Sequence, residues 1–184
     1  MRGMSEELEV LKLVAQHLNK ANIIYMISGS MAANYYTVPR MTRDIDVIIE
    51  LRGKDKDHFI KIFERDFWID PDMVSAEIIR QGMFNLIHRE YTVKIDFILR
   101  KNSDFQNAAF GRKQKVKIEG NTLWFISRED LILAKLLWAK DSFSALQLGD
   151  VRNLLKDISE IDQPYLEKWI KNLELEEVYG KVKI

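Results

Sequence analysis

Asp44 and Asp46 stand two residues apart in Asp44-Ile45-Asp46-Val47-Ile48-Ile49, a run rich in β-branched residues. Such a run forms a strand, and residues two apart on a strand share a face. The two carboxylates therefore project the same way, while Ile45 and Val47 turn into the core. Two ionised carboxylates at this spacing repel each other, and holding both charged calls for a cation. Hard divalent ions such as Mg2+ take oxygen ligands, binding through one or two carboxylates plus substrate phosphates. A third acid, Asp96, lies inside Lys94-Ile95-Asp96-Phe97-Ile98. Aspartate in the middle of an apolar strand is disfavoured by propensity and by burial. If that strand lies beside the first, the three carboxylates converge; taken alone, Asp96 has plainer partners in Lys94 and Arg100.

Upstream, Gly29-Ser30 falls where an apolar run ends and a helical pattern begins. Glycine lets a backbone approach a ligand closely, and a helix N-terminus presents free N–H groups to phosphate. A phosphate-binding turn followed by a metal-binding carboxylate pair equips a protein for phosphoryl or nucleotidyl transfer. Arg40 and Arg43 precede the aspartate pair as candidate supports for a triphosphate or the active site, or as solvated loop arginines. Lys135 is the only charge between Leu131 and Ala139. On a buried helix such a lysine either carries its head to the surface or meets an anion.

The elements that must position these residues can be read from pattern. Ser5–Asn19 is a helix with Val10, Leu11, Val14 and Leu18 on one stripe and Ser5 as N-cap. Strands are expected at 23–28 and 44–51, helices at 31–36, 55–66 and 72–81, and a hairpin pairs 84–88 with 92–99 around Arg89-Glu90-Tyr91. Asp104–Phe110 is helical, and Lys115–Glu119 and Thr122–Ile126 form a second hairpin around Gly120-Asn121. Ser127 opens a helix with Asp130 at the capping-box position, and the apolar run 131–139 predicts that this helix is buried. Two further helices cover Leu146–Ser159 and Pro164–Leu173, with Pro164 suited to a first turn. The division expected is an α/β (α+β) core over residues 1–126 and a helical region over 127–184 packed on it.

The 184 residues can bury a sizeable core without staples. Twenty-eight basic and 28 acidic residues cancel, which argues against attachment to nucleic acid or membrane by bulk charge. The chain has no cysteine, so disulfides, thiolate zinc sites and cysteine nucleophiles are excluded. The histidines (His17, His58, His88) share no metal-ligand spacing. The N-terminus turns acidic at once, unlike a signal peptide, and the uncharged stretch 21–39 is interrupted by polar residues, Gly and Pro, so a cytoplasmic location is expected. Charge is nonetheless uneven. Residues 98–117 carry six basic side chains against Asp104, a net of +5, and residues 157–179 a net of −5. The first could guide a polyanionic acceptor such as RNA or be a solvated face; the second could meet a basic partner or a second subunit.

The pattern Gly29-Ser30, Arg40-x-Thr42-x-Asp44-Ile45-Asp46, Ile95-Asp96-Phe97 resembles the DNA polymerase beta nucleotidyltransferase superfamily, and more narrowly the small AbiEii/AbiGii toxin-type nucleotidyltransferases. The resemblance implies a nucleotidyltransferase-like mixed β-sheet flanked by helices, with a C-terminal helical extension. It implies two Mg2+ ions (or Mn2+) on Asp44, Asp46 and Asp96, and a nucleoside triphosphate, ATP among them, on Gly29 and Ser30. Arg40 and Thr42 match the motif, and Lys135 matches a lysine that the family carries on its helical region. Asp96 would also activate an acceptor hydroxyl on RNA, protein or a small molecule, with pyrophosphate released. A toxin–antitoxin-like protein partner or a homodimer would follow. The Arg-rich stretch that comes next in that family is not reproduced in Lys140-Asp141-Ser142-Phe143-Ser144. The rival readings are a non-catalytic binding module of the same fold, whose mark would be a lost carboxylate, and a metal-dependent phosphodiesterase, which would want histidines near the acids.

Overall fold

The computed structural model describes residues 6–156 and 160–182. Helix α1 (Glu6–Lys20) places Val10, Leu11, Val14 and Leu18 in the core, as their spacing requires; Ser5 lies outside the described residues. Strand β1 (Tyr25–Ile27) is wholly buried and passes through Ser28 into α2 (Gly29–Tyr36). Strand β2 (Asp44–Ile49) follows, then a 3-10 turn and α3 (Lys56–Phe63), β3 (Phe67–Trp68) and α4 (Pro71–Arg80). Strands β4 (Met83–His88) and β5 (Lys94–Leu99) form the first hairpin. It begins at Lys94 rather than Thr92 because Thr92 adopts a left-handed conformation (φ 56°) and its N–H closes the turn on the His88 carbonyl. Then come α5 (Asp104–Arg112), the hairpin β6 (Gln114–Ile118) and β7 (Asn121–Phe125), and helices α6 (Arg128–Ala139), α7 (Ala145–Leu154), α8 (Gln163–Asn172) and α9 (Glu176–Gly180).

The strands form one mixed sheet in the order β3-β4-β5-β2-β1-β7-β6. The mixed sheet with flanking helices is the α/β (α+β) fold class that the sequence predicts. Strand β2 pairs in parallel with β5 and antiparallel with β1, so the central strands are bonded on both sides. Alternation along β2 buries Ile45 and Val47 and leaves Asp44 and Asp46 on the other face. On β5, Ile95, Phe97 and Leu99 point into the core. There Phe59, Phe63, Phe67, Phe84 and Phe97 meet with ring centroids 4.6–5.6 Å apart, the separation of favourable aromatic packing.

Helix α6 departs from its expected burial. Its neighbours α2, α7, α8 and α9 cover most of its surface but leave Leu137 and Trp138 in solvent, Trp138 at 74% exposure. Ser127 caps it by accepting from the Asp130 N–H, and its hydroxyl donates to the Asp130 carboxylate at 2.6 Å. Helix α7 ends at Leu154, short of the expected span, and residues 157–159 lie outside the described residues. Strand β3 and helix α9 were not legible: two and five residues give too little period to detect.

Phe97, the residue after Asp96 on β5, is fully buried and packs against Phe59, Phe63 and Phe84. Phe97→Ala should cost about 3–5 kcal/mol by urea unfolding, the cost of an unfilled aromatic site.

Candidate active site

The parallel register of β2 and β5 sets Asp46 opposite Asp96 and Asp44 opposite Lys94. Residues paired across adjacent strands share a face, so one patch of sheet carries three carboxylates and one ammonium. Asp44 is exposed, Asp46 half-buried and Asp96 buried at 7% exposure. Lys94 Nζ lies 2.8 Å from Asp96 Oδ2 and 3.8 Å from Asp44 Oδ2. The other Asp96 oxygen, Oδ1, is buried without a hydrogen-bond partner. Burial first, then Asp96, raises the Asp46 carboxyl above its ordinary value; Lys135 pulls it back, Asp44 adds to the rise and Lys94 offsets a little more. The face continues outward: Asn85 pairs with Asp96, and the exposed Ile87 and Trp68 extend the row beyond Lys94.

Gly29 begins α2 beside this patch. Its φ of 60° is left-handed, and a Cβ there would overlap the Asp46 carboxylate. Glycine is thus required twice, by backbone conformation and by the closeness of Asp46. The Ser28 N–H donates to the Asp46 carbonyl at 2.9 Å, which fixes the helix start against β2. Ser28 provides no side-chain cap and the first turn of α2 holds no acid, so the carboxylate beside its start is that of Asp46 on β2.

Arg40 and Lys135 converge on Asp150 of α7. Arg40 donates Nε to Oδ1 at 3.2 Å and Nη2 to Oδ2 at 3.0 Å, and Lys135 Nζ donates to Oδ2 at 2.8 Å and to Gln147 Oε1 at 3.1 Å. Arg40 Nη2 also donates to Ser30 Oγ at 2.7 Å. Asn34 brackets Arg40 through its backbone, accepting from its N–H at 3.0 Å and donating to its carbonyl at 2.7 Å. The loop between α2 and β2 is thereby tied to the helical region. Lys135 thus meets an anion supplied by the chain itself, and its charge also favours the ionised form of Asp46. Thr42 Oγ1 donates to the Asp44 carbonyl at 3.3 Å, and Arg43 is exposed. The basic stretch divides: Arg100 turns to Glu50 and Asn107, and Arg112 turns to Glu129 under Tyr165, while Lys101, Lys115 and Lys117 stay exposed.

The set matches a hard divalent ion by donor chemistry: oxygen only, three acids on one face, and one buried carboxylate oxygen left over. Among the described residues no three acidic or histidine side chains form a ready-made metal cluster. The cation touching the carboxylates is Lys94. Asp150 counts for more than the sequence suggested: there it is, with Lys140, only a weak match to the helical region of the resembling family, whereas here it pairs with both Arg40 and Lys135.

No protein-family model and no curated protein matches this sequence. Solved structures do. The chain is similar to an antigenic nucleotidyltransferase-like protein from Paracoccidioides brasiliensis, with TM-score 0.57 at 20% identity over 96% of this chain and 92% of that one. It is similar to the antibiotic-resistance factor ANT(2'')-Ia, with TM-score 0.60 at 14% identity over 97% of both chains. It is similar to the lincosamide antibiotic adenylyltransferase LnuA, with TM-score 0.54 at 15% identity over 83% of this chain and 97% of that one. The fold is that of the nucleotidyltransferases. No helix among the described residues is long and apolar enough to cross a membrane.

Two outcomes follow from this geometry. Gly29→Ala should destabilise the protein by about 1–3 kcal/mol in thermal melts, the cost of a left-handed non-glycine residue. It should also displace Asp46, abolishing whatever binding that residue supports. Asp150→Asn should cost about 3 kcal/mol at neutral pH, since Lys135 is left buried without a counter-charge. Burial opposes ionisation of Asp150, but hydrogen bonds from Arg40 and Lys135 outweigh it and hold the carboxyl below its usual value. A carboxyl lowered in the folded state stabilises above its unfolded value, and the contribution fades as pH falls through the folded one. The wild-type advantage over Asp150→Asn in urea unfolding should therefore shrink below about pH 4.

Proposed function

We propose that this protein is a divalent-metal-dependent nucleotidyltransferase that moves a nucleoside monophosphate from a nucleoside triphosphate to an acceptor hydroxyl. The observation that carries the reading is the β2–β5 register, which sets Asp44, Asp46 and Asp96 on one face beside the open N-terminus of α2. Asp44, Asp46 and Asp96 would hold the metal, Mg2+ or Mn2+, whose contribution is to neutralise charge on the phosphates as the leaving pyrophosphate departs.

The chain's own residues account for the rest. The free N–H groups of Gly29 and Ser30 bind phosphate oxygens, with the helix dipole in the favourable sense. Arg40 holds the Ser30 hydroxyl in place through its 2.7 Å bond. Lys135 keeps positive potential behind Asp46 and so favours its ionised form. Asp96, with one buried oxygen lacking a partner, accepts a hydrogen bond from the acceptor hydroxyl. As that oxygen attacks the α-phosphorus, its proton passes to the carboxylate and the bond to pyrophosphate breaks in line. In such a displacement positioning and charge stabilisation supply most of the catalysis. All three carboxylates are present, which favours catalysis over a binding module of the same fold.

Labelled nucleoside triphosphates incubated with Mg2+ and with RNA or small hydroxyl acceptors report the reaction directly. Thermal melts test the site independently of the acceptor. In EDTA, Asp46→Asn should be at least as stable as wild type, because it relieves repulsion at a half-buried position. With Mg2+ and nucleoside triphosphate the order should reverse, wild type gaining about 2.7 kcal/mol at a hundredfold excess over Kd and the variant little. Parallel gains in both proteins would sink the metal-site assignment.

A further inference from the structure

We propose that Lys94 is a resident cation of the carboxylate site, competing with the divalent ion for Asp96 and so setting how tightly metal is held. The inference rests on the metal-site reading above and adds a residue to which the resemblance gives no role.

Lys94 is the first residue of β5, two positions before Asp96 and therefore on the same face of the sheet. The register places it directly opposite Asp44. Its ammonium contacts both acids, closely at Asp96 Oδ2 (2.8 Å) and more loosely at Asp44 Oδ2 (3.8 Å). No other lysine or arginine forms an ion pair with Asp44 or Asp96 among the described residues. The side chain is 40% exposed, so its head is free to swing into water. Asp96 is not: it is buried, and its second oxygen has no partner. The pair is therefore asymmetric, with a fixed carboxylate and a movable ammonium.

A divalent ion taking the Asp96 carboxylate would come within a few ångströms of the ammonium as it stands. Two like-signed cations at that distance repel, and the hydrated, flexible one is the one that leaves. Lys94 thus does two things in sequence. Without metal it compensates Asp96 and Asp44, and with metal it withdraws, at a cost in metal affinity. A fixed arginine or a distant lysine could not do both.

The test uses the full chain and Mn2+ alone as probe, by isothermal titration, together with thermal melts in EDTA. Lys94→Met keeps the stem and removes the charge. It should bind Mn2+ about tenfold more tightly than wild type, a modest fraction of the repulsion between such charges, and melt at a lower temperature in EDTA. Lys94→Arg keeps the charge and should bind Mn2+ no more tightly than wild type. Equal Mn2+ affinity in wild type and Lys94→Met overturns the role of Lys94 while leaving the metal site standing. Weaker binding by Lys94→Met also overturns it, since the lysine would then be helping the metal. Mn2+ binding by none of the three proteins removes the metal-site reading itself and the competition with it.

Discussion

The parallel pairing of β2 with β5 sets Asp46 beside Asp96, and much of the surrounding structure answers the repulsion that this creates. Strands in a sheet lie about 4.8 Å apart, so acids paired across them cannot ignore each other. Both acids are also drawn out of water, Asp96 more fully than Asp46. Desolvation and like charge act in the same direction on Asp46 and raise it above an ordinary carboxyl. A chain selected for stability alone would place threonine or valine at these positions.

The protein surrounds the acids with positive charge at different distances. Lys94 touches them from the same sheet face. Lys135 acts from α6 and the N-terminus of α2 from the end of β1. Asp150 of α7 pairs with both Arg40 and Lys135. Without Asp150 two cations would face each other across a small gap. With it they form a bonded bridge that joins the loop before β2, α6 and α7. The helical region therefore does more than cover the sheet: its Lys135, held by Asp150, favours the ionised form of Asp46 on β2.

A second polar network joins α6 to α5 and α8. Arg112 of α5 pairs with Glu129 at 3.1 Å and stacks over Tyr165 of α8, whose hydroxyl donates to the fully buried Asp130. This network uses a large basic residue of the 98–117 stretch internally. The excess of positive charge in that segment is consequently smaller at the surface than a residue count suggests. Lys115 and Lys117 remain outward on β6, at the sheet edge farthest in strand order from the β3 edge.

The sequence by itself determined the strand bearing Asp44 and Asp46, the strand bearing Asp96, the Gly29-Ser30 turn, the capped helix after Ser127 and the mixed α/β architecture. These depend on local rules: two-residue alternation, helical period, turn residues and caps act within a few positions, so they can be read in order along the chain. Only the tertiary structure decided which strands are neighbours and in what register, because pairing β2 with β5 brings together residues fifty positions apart. The pairing of Lys94 with Asp96 could be read from their two-residue spacing, but only the register adds Asp44 to that contact, and Arg100, the other partner offered for Asp96, turns to Glu50 instead. The same holds for Asp150, whose helix shows no period that singles it out, and for Lys135, whose anion comes from α7. Burial of Leu137 and Trp138 was overestimated for a related reason: apolar sequence shows what a helix can bury, while its neighbours decide what it does bury.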